Sequence, residues 1–264
     1  MHFTKMQGLG NDYLYVYGVV PENAPSVSIR LSDRHFGPGS DGMIWISPSE
    51  KADFSMRIFN ADGSEARMCG NGIRCVGKYV YDKGYTDKTR LTIETLAGLR
   101  TLELHTAGGR VKTVTVDMGR AAVSPEKTLE ADGTEVRCIP ADVGNPHAVI
   151  FVEDAENAPH YTLGPKIEKH PVFPGGVNVE FIQVLEKNHL RMRVWERGSG
   201  VTLACGTGAC ASAAAAVSKG YCEPGTPIRV ELDGGVLDLE VSPQGELRMT
   251  GPCEFVYEGD VELC

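Results

Sequence analysis

Alternating hydrophobic and polar positions recur along most of the chain and predict a protein built mainly from β-strands. The clearest runs alternate with period two and end at Gly, Pro, Asn or Asp, as half-buried strands do. Two longer segments follow a cysteine and end at a Lys-Gly pair, and these we interpret as helices. The predicted strands are MRIFN, LTIETL, TLELH, VKTVTVDMG, AVIFVE, VEFIQV, LRMRVWE, IRVEL and VLDLEV.

The two predicted helices lie in segments that match each other at an offset of 136 residues, the separation of Cys69 and Cys205. Both segments contain Cys-Gly-x-Gly, and fifteen residues after each cysteine stand Gly84 and Gly220, which suit the left-handed residue that ends a helix. A weaker echo pairs GLGN with DVGN. Such self-similarity indicates a duplicated fold. The matching segments are FNADGSEARMCGNGIRCVGKYVYDKG and VWERGSGVTLACGTGACASAAAAVSKG.

The duplication predicts an α+β fold of two pseudo-symmetric, mostly β halves, each wrapped around a central helix, with an active site in the cleft between them. Residues 209–218 are almost all small, so we expect close-packed strands around that helix. We place the join at Gly108-Gly109, between two alternating runs. The predicted domains are residues 1–108, carrying Cys69 and completed by a strand at about 253–264, and residues 109–252, carrying Cys205.

Composition and charge exclude several classes of function. Apolar residues make up 42% of the chain and charged residues 23%, as in an average soluble globular protein. The net charge of −9, without a Lys/Arg cluster, argues against nucleic-acid binding. The N-terminus lacks the pattern of a secretory signal, and no apolar run is long enough to span a bilayer. We therefore expect a cytoplasmic protein without membrane or nucleic-acid partners.

The eight cysteines do not suggest a structural framework of disulfides or zinc. A disulfide-stapled secreted protein would need a signal peptide, and the cysteine spacing does not fit zinc ligand pairs. Dinucleotide, Walker and pyridoxal phosphate motifs are also lacking, so we predict no metal and no cofactor. Outside the two turns the cysteines are interpreted as small buried hydrophobes. These are Cys75, Cys138, Cys210, Cys222, Cys253 and Cys264.

The two Cys-Gly-x-Gly turns are the candidate chemistry of the chain. A glycine-rich turn that opens a helix leaves backbone N–H groups unpaired at the positive end of the helix dipole, which suits a carboxylate. The same surroundings favour the thiolate form of a cysteine. If one thiolate removes an α-proton and the opposite thiol returns a proton to the other face, the stereocentre is inverted. The pair therefore predicts an amino-acid racemase or epimerase that needs no cofactor.

The motifs resemble the diaminopimelate epimerase family along nearly the whole chain. The resemblance implies conversion of L,L-diaminopimelate to meso-diaminopimelate without pyridoxal phosphate, in lysine and peptidoglycan precursor biosynthesis. Members of the family are often homodimers, which favours the same state here. The resemblance rests on KMQGLGND, RHFGPGSDG, FNADGSEARMCGNGIRC, VGNPHAV, HPVFPGGVNVEF and WERGSGVTLACGTGACA.

The resemblance also implies roles for individual residues. Cys69 and Cys205 would be the catalytic acid and base, and His147 and Glu196 would assist their deprotonation. Gln7, Gly42 and Val201 depart from common family residues without removing a catalytic position. The implied substrate-binding residues are Asn11, Asn60, Gly70, Asn71, Asn145, Asn178, Glu196, Arg197, Gly206 and Thr207.

Three alternatives stay open at this point. A proline racemase or hydroxyproline epimerase would also use two cysteines, but it has no need of the charged set around Glu196 and Arg197, which suits a substrate with a second charged end. An isomerase of the phenazine-biosynthesis type lacks the cysteine pair. A non-catalytic protein that binds an amino acid or another small anion would not need two thiols.

Overall fold

The computed structural model describes residues 1–263, so Cys264 lies outside the described residues. No helix in this range is long and apolar enough to cross a membrane. The helices are α1 (Ala24–Ser32), α2 (Gly70–Asp82), α3 (Gly164–Glu168) and α4 (Gly206–Ser218). The strands are β1 (His2–Gly8), β2 (Asn11–Tyr17), β3 (Gly42–Pro48), β4 (Phe54–Asn60), β5 (Glu65–Ala66), β6 (Arg90–Thr95), β7 (Gly98–Ala107), β8 (Arg110–Arg120), β9 (Ala122–Val123), β10 (Lys127–Ala131), β11 (Thr134–Asp142), β12 (Pro146–Phe151), β13 (Asn178–Glu186), β14 (His189–Glu196), β15 (Gly200–Val201), β16 (Ile228–Leu232), β17 (Gly235–Val241), β18 (Glu246–Pro252) and β19 (Glu254–Asp260).

The chain divides into two compact units. The first comprises Met1–Asp117 and the described residues from Gly251 onward, and the second comprises Met118–Thr250. The chain therefore passes into the second unit within β8 and returns within β18. Gly108 and Gly109, both with positive φ, form the tight turn between β7 and β8 inside the first unit.

The first unit is a mixed sheet around α2. Along the sheet, β1 pairs antiparallel with β2, β2 parallel with β3, β3 antiparallel with β4, and β4 parallel with β6. The antiparallel pairs β6–β7 and β7–β8 follow, and β19 adds to the free edge of β1. All residues of α2 up to Val80 are buried, so the helix forms part of the core rather than of the surface.

The second unit repeats this pairing pattern strand for strand. β11 pairs antiparallel with β12, β12 parallel with β13, β13 antiparallel with β14, and β14 parallel with β16. The antiparallel pairs β16–β17 and β17–β18 complete the series, and β9 pairs with β11 as β19 does with β1. The predicted α+β class, with two pseudo-symmetric and mostly β halves, is confirmed.

The central helices begin and end where the duplication predicts. Cys69 and Cys205 are the N-caps of α2 and α4. At the other end, Gly84 and Gly220 both have φ of 77°, a conformation that glycine adopts without strain. Most of the small residues of α4 are fully buried against strands of the second unit, as expected from their size.

Candidate active site

Both helix-capping thiols accept a hydrogen bond from the backbone of their own helix. Cys69 has an extended backbone, with φ −138° and ψ 116°, and its Sγ lies 3.3 Å from the N–H of Gly72. Cys205 has φ −115° and ψ 107°, and its Sγ lies 3.3 Å from the N–H of Gly208. An N-cap thiol in this position lies at the positive end of the helix dipole, where a thiolate is favoured.

In the first half, Cys69 contacts the side chain of Asn11. The thiol donates to Asn11 Oδ1 at 3.3 Å, and Asn11 Nδ2 donates to Asp41 Oδ2 at 2.7 Å. Asp41 in turn is bound by Arg34 at 2.8 Å, which fixes the carboxylate. The amide oxygen of Asn11 is therefore held toward the thiol by its own anchored amino group.

A fully buried arginine on the same helix places a positive charge near Cys69. Arg74 Nη1 donates to Gly70 O and Nε donates to Pro252 O, each at 3.2 Å. Burial raises the pKa of the Cys69 thiol. The opposing, thiolate-stabilising groups are the N–H groups of Gly72 and Asn71, the Arg74 charge and the Tyr13 hydroxyl.

The other predicted residues of the first half lie at two places. Gly70 and Asn71 open α2 and are buried beside Cys69. Asn60 ends β4, where its Nδ2 donates to Ser64 Oγ at 3.0 Å. The structure thus brings Asn11, Gly70 and Asn71 to the thiol, whereas Asn60 contacts a neighbouring turn.

In the second half, a chain of hydrogen bonds leads from Cys205 to a buried ion pair. Thr207 Oγ1 lies 3.5 Å from Cys205 Sγ and accepts from Asn145 Nδ2 at 3.3 Å. Asn145 Oδ1 lies 3.1 Å from His147 Nε2, and His147 Nδ1 lies 2.7 Å from Glu180 Oε1. His147 and Glu180 are both completely buried. Two predicted binding residues therefore connect the thiol to His147.

Glu196 is the carboxylate that contacts Cys205 directly. Its Oε1 accepts from the Thr202 hydroxyl. Burial raises the pKa of Glu196, and hydrogen bonds from Thr202 and Cys205 act against that rise. Burial also raises the pKa of Cys205 well above its usual range, and the charges of Glu196 and Glu180 raise it further. Burial and these two carboxylates therefore favour the neutral thiol at Cys205.

The remaining predicted residues of the second half form a second group. Asn178 Oδ1 accepts from the backbone N–H of Arg197 at 2.9 Å, and Asn178 Nδ2 donates to Pro146 O at 3.1 Å. The side chain of Arg197 is exposed and binds Gly175 O at 3.1 Å. Gly206 opens α4 and is buried beside Cys205. The side chain of Asn178 therefore holds the main chain of Arg197 by a hydrogen bond.

Three buried polar residues around the two thiols are not among those predicted from the sequence, namely Tyr13, Arg74 and Glu180. A signal for Glu180 was available, because it is the only charged residue within the apolar run VNVEFI. Charged residues are seldom fully buried without a partner, so a single acid in a core strand indicates a site. Arg74 has no comparable signal, because a charged residue at the start of a helix is usually exposed.

Comparison of the sequence with protein families gives a consistent result. The model of the diaminopimelate epimerase family matches residues 3–124 and 140–256. A diaminopimelate epimerase of Phocaeicola vulgatus is 51% identical over 99% of this chain and 98% of its own length. Those of Acetivibrio thermocellus and Methanococcus maripaludis are 49% and 47% identical over 100% of this chain, and 99% and 100% of theirs.

Solved structures of similar fold come from proteins of more distant sequence. A probable proline racemase from Agrobacterium radiobacter has a TM-score of 0.75 at 17% identity and covers 100% of this chain and 93% of its own. A phenazine biosynthesis protein of the PhzF family from Bacillus anthracis has a TM-score of 0.76 at 16% identity and covers 100% and 99%. At such identities the likeness concerns the fold alone.

Proposed function

This chain belongs to the diaminopimelate epimerase family, and we propose that it interconverts L,L-diaminopimelate and meso-diaminopimelate by means of two cysteine thiols. The observation that carries the proposal is the pair of N-cap cysteines, each with its Sγ bound by the N–H three residues later. The reaction is an isomerisation at a single α-carbon. Its product would serve lysine and peptidoglycan precursor synthesis.

In the mechanism we propose, Cys69 and Cys205 exchange the roles of base and acid. One thiolate takes the α-proton from one face of the carbon, and the other thiol gives its proton to the opposite face. The α-hydrogen is very weakly acidic, and its removal puts negative charge on the adjacent carboxylate. The starts of α2 and α4, at the positive ends of the helix dipoles, suit that charge. Burial raises the pKa of both thiols, which makes each thiolate a stronger base.

The assisting roles are proposed from the contacts of the second half. Glu196 takes the proton of Cys205, with which it shares a hydrogen bond. His147 acts through Asn145 and Thr207 rather than on the thiol itself, because its Nε2 lies 3.1 Å from Asn145. Gly70, Asn71, Gly206 and Thr207 would bind the reacting end of the substrate, together with Asn11 and Asn145.

The far end of diaminopimelate carries its own ammonium and carboxylate and needs a second set of groups. We assign the carboxylate to Arg197, whose exposed guanidinium can form a bidentate pair. Asn178 orients the main chain of Arg197 by its 2.9 Å hydrogen bond, and Asn60 would complete the set as an amide donor. A cyclic substrate such as proline has no such second end, so this set favours diaminopimelate.

Reduced thiols are a condition of this chemistry, and we propose the cytoplasm as its compartment. The described cysteines, which exclude Cys264, are all free. Cytosolic glutathione and thioredoxin keep thiols reduced, whereas an oxidising compartment would promote their oxidation. A homodimer remains a prediction from the family resemblance.

The test is incorporation of solvent deuterium at the α-carbon of L,L-diaminopimelate, followed by NMR in heavy water under reducing conditions. The native protein should exchange and invert the centre. Cys69→Ala and Cys205→Ala should each lose inversion by at least about a hundredfold, because general acid or base catalysis alone supplies about 10²–10⁴. Cys222→Ala is the matched control, since Cys222 is a buried thiol of the second unit that caps no helix.

Each alternative has its own outcome in this experiment. Exchange of proline without exchange of diaminopimelate would keep the two-thiol chemistry and overturn the substrate. Binding of diaminopimelate with no exchange at all would identify a non-catalytic binder. Full activity in either helix-cap variant would overturn the two-thiol mechanism.

A further inference from the structure

The duplicated framework allows each residue around one thiol to be matched with a residue around the other. Met43 pairs with Phe59 in the first unit as Val179 pairs with Trp195 in the second. The next residues along the strands, Ile44 and Glu180, therefore occupy equivalent positions.

Their side chains also meet the same element. A Cβ added to Gly72 would lie 2.7 Å from Ile44 Cδ1, and a Cβ added to Gly208 would lie 2.7 Å from Glu180 Oε1. The framework thus places an apolar group against the first thiol-bearing turn and a carboxylate against the second.

The carboxylate of Glu180 is held in a site where an unpaired charge would be very unfavourable. Glu180 and His147 are fully buried, and within residues 1–263 Glu180 Oε2 has no hydrogen-bond partner. The one strong contact is the 2.7 Å bond between Glu180 Oε1 and His147 Nδ1. A buried carboxylate of this kind requires a cation or a proton, and His147, if protonated, would supply the cation at 2.7 Å.

A protonated His147 fixes the direction of the whole hydrogen-bonded chain. With both ring nitrogens as donors, Nδ1–H donates to Glu180 Oε1 and Nε2–H donates to Asn145 Oδ1. The Asn145 amino group then donates to Thr207 Oγ1, which leaves the Thr207 hydroxyl proton for Cys205 Sγ. In this order the three hydrogen bonds from His147 Nε2 to Cys205 all donate toward the thiol, and the last one stabilises a thiolate.

We propose that Glu180 is a positioning residue of the active site, which directs this chain so that the Thr207 hydroxyl donates to the Cys205 thiolate. The proposal rests on the proposed role of Cys205 as acid and base. Glu180 itself acts through His147, Asn145 and Thr207 and need not touch the substrate.

A simpler effect of Glu180 would have the opposite sign. The ionisable groups around Cys205 are Glu180 of β13 and Glu196 of β14, and His147 of β12 is hydrogen-bonded to Glu180. Taken alone, the negative charge of Glu180 raises the pKa of Cys205. Removal of that charge would then make Cys205 more reactive. Removal of a positioning residue makes it less reactive, so the sign of the change separates the two effects.

Replacement of Glu180 by glutamine should reverse the direction of the hydrogen bonds that connect His147 to Cys205. Without the carboxylate, a neutral imidazole that donates from Nδ1 to the glutamine oxygen becomes the favoured form, and its Nε2 becomes an acceptor. The Asn145 amide must then turn its amino group to Nε2 and its oxygen to Thr207. The Thr207 hydroxyl donates to that oxygen, and the Cys205 thiolate loses a donor.

The experiment measures the pH dependence of iodoacetamide alkylation at Cys205 and at Cys69 separately, by mass spectrometry of peptides from the folded protein. In Glu180→Gln, the midpoint for Cys205 should rise by about one pH unit, the size expected for one hydrogen bond to a charged group. Cys69, on the other unit, serves as the internal control. The kcat at neutral pH should fall about tenfold, and higher pH should restore part of it.

The matched control is Glu231→Gln. Glu231 is also in the second unit and also binds a histidine, with 2.8 Å between its Oε1 and His189 Nε2, but it is partly exposed. This variant should leave the alkylation of both cysteines unchanged. A fall in the Cys205 midpoint in Glu180→Gln, or no shift, would overturn the proposal.

Two further variants keep the test decisive. If the chain acts through Thr207, adding Glu180→Gln to Thr207→Val should shift the Cys205 midpoint no further. An equal shift in that background would also overturn the proposal. If Glu180→Gln does not fold, Thr207→Val alone should raise the midpoint, and no rise would remove the last link of the chain. Alkylation requires no substrate, so failure of the native protein to epimerise diaminopimelate would be a separate result.

Discussion

The two halves share one framework of strands and helices but surround their thiols with different charges. In the first half the charge near Cys69 is the buried cation Arg74, whereas in the second half Cys205 faces the carboxylates Glu180 and Glu196. Arg74 stands five residues after its cysteine, where the second half has Cys210. By strand register, Tyr13 in the first half corresponds to His147 in the second.

The difference suits a reaction in which the two thiols cannot begin in the same state. Inversion needs one thiolate and one thiol at the start of each turnover. Arg74 favours the thiolate at Cys69, and the two carboxylates favour the neutral thiol at Cys205. The repeated framework thus accounts for the shared geometry, and a few buried residues that differ between the halves account for the division of charge.

The largest effect should come from removing the cation of the first half. Arg74→Met leaves the carbonyl oxygens of Gly70 and Pro252 without the donors that now bind them at 3.2 Å. We expect a loss of about 3 kcal/mol in the free energy of unfolding, from two buried groups at about 1–3 kcal/mol each. The pKa of Cys69 should rise because the thiolate loses a nearby positive charge.

Chemical denaturation and the alkylation profile of Cys69 measure these two effects separately. Arg74→Lys is the control, because it keeps the charge and loses only the forked geometry. It should lie between the native protein and Arg74→Met in the alkylation of Cys69, and the profile of Cys205 should not move. Native reactivity of Cys69 in Arg74→Met would show that the cation has a purely structural role.

The contrast between the halves also marks the limit of inference from the sequence. The helices after Cys69 and Cys205 were predicted because a repeated Cys-Gly-x-Gly turn and a terminal glycine identify both ends of each helix. Strands such as β16 and β17 were predicted from their clear alternation of apolar and polar residues. β3 was missed because its run GMIWI is buried throughout and has no period of two.

Residues of the candidate site could be predicted only where a sequence motif contains them. The N-cap cysteines follow from the motif, whereas the contact between His147 of β12 and Glu180 of β13 exists only through the tertiary fold. His147 pairs with Asn178 in that register, and Glu180 lies two residues further on the same strand. Sequence separation alone cannot give such a contact, so Glu180 was missed despite its unusual surroundings.

An effect of intermediate size is expected from substituting Gly72, which faces Ile44, and Gly208, which faces Glu180. Gly72→Ala and Gly208→Ala each place a Cβ 2.7 Å from a buried side-chain atom. Overpacking of this kind costs about 1–3 kcal/mol, so we expect a similar loss of unfolding free energy in both variants. The added Cβ also lies 3.2 Å from Cys205 Sγ in Gly208→Ala and 3.5 Å from Cys69 Sγ in Gly72→Ala, but only Gly208→Ala displaces a carboxylate. We therefore expect the alkylation midpoint of Cys205 in Gly208→Ala to rise more than that of Cys69 in Gly72→Ala.

Thermal or chemical unfolding and cysteine alkylation of the two variants are compared side by side. Because the substitutions are matched in geometry, stability serves as the control for reactivity. If the midpoint of Cys69 in Gly72→Ala rises as much as that of Cys205 in Gly208→Ala, the difference between Ile44 and Glu180 has no part in tuning the thiols.

The smallest effect concerns acid stability, which we expect to depend on a network found in the first half. Asp12 lies 2.7 Å from Lys5 Nζ and 2.7 Å from Arg34 Nη2. Burial would raise the pKa of Asp12, but the hydrogen bonds and charges of Arg34 and Lys5 outweigh it, and the pKa is lowered. The position that matches Asp12 in the second half is Pro146, which cannot titrate.

A carboxyl whose pKa is lowered by folding stabilises the protein above its unfolded pKa of about 4, and this stability disappears as the pH falls through the folded pKa. Asp12→Asn should therefore lower the free energy of unfolding at neutral pH by about 1 kcal/mol, the upper range for such ion pairs. At pH 3 it should differ less from the native protein. Asp142→Asn, which removes an exposed carboxylate of the second half, is the control. Denaturation curves are measured at several pH values. If the native protein and Asp12→Asn lose the same free energy of unfolding as the pH falls, Asp12 is not the source of the acid sensitivity.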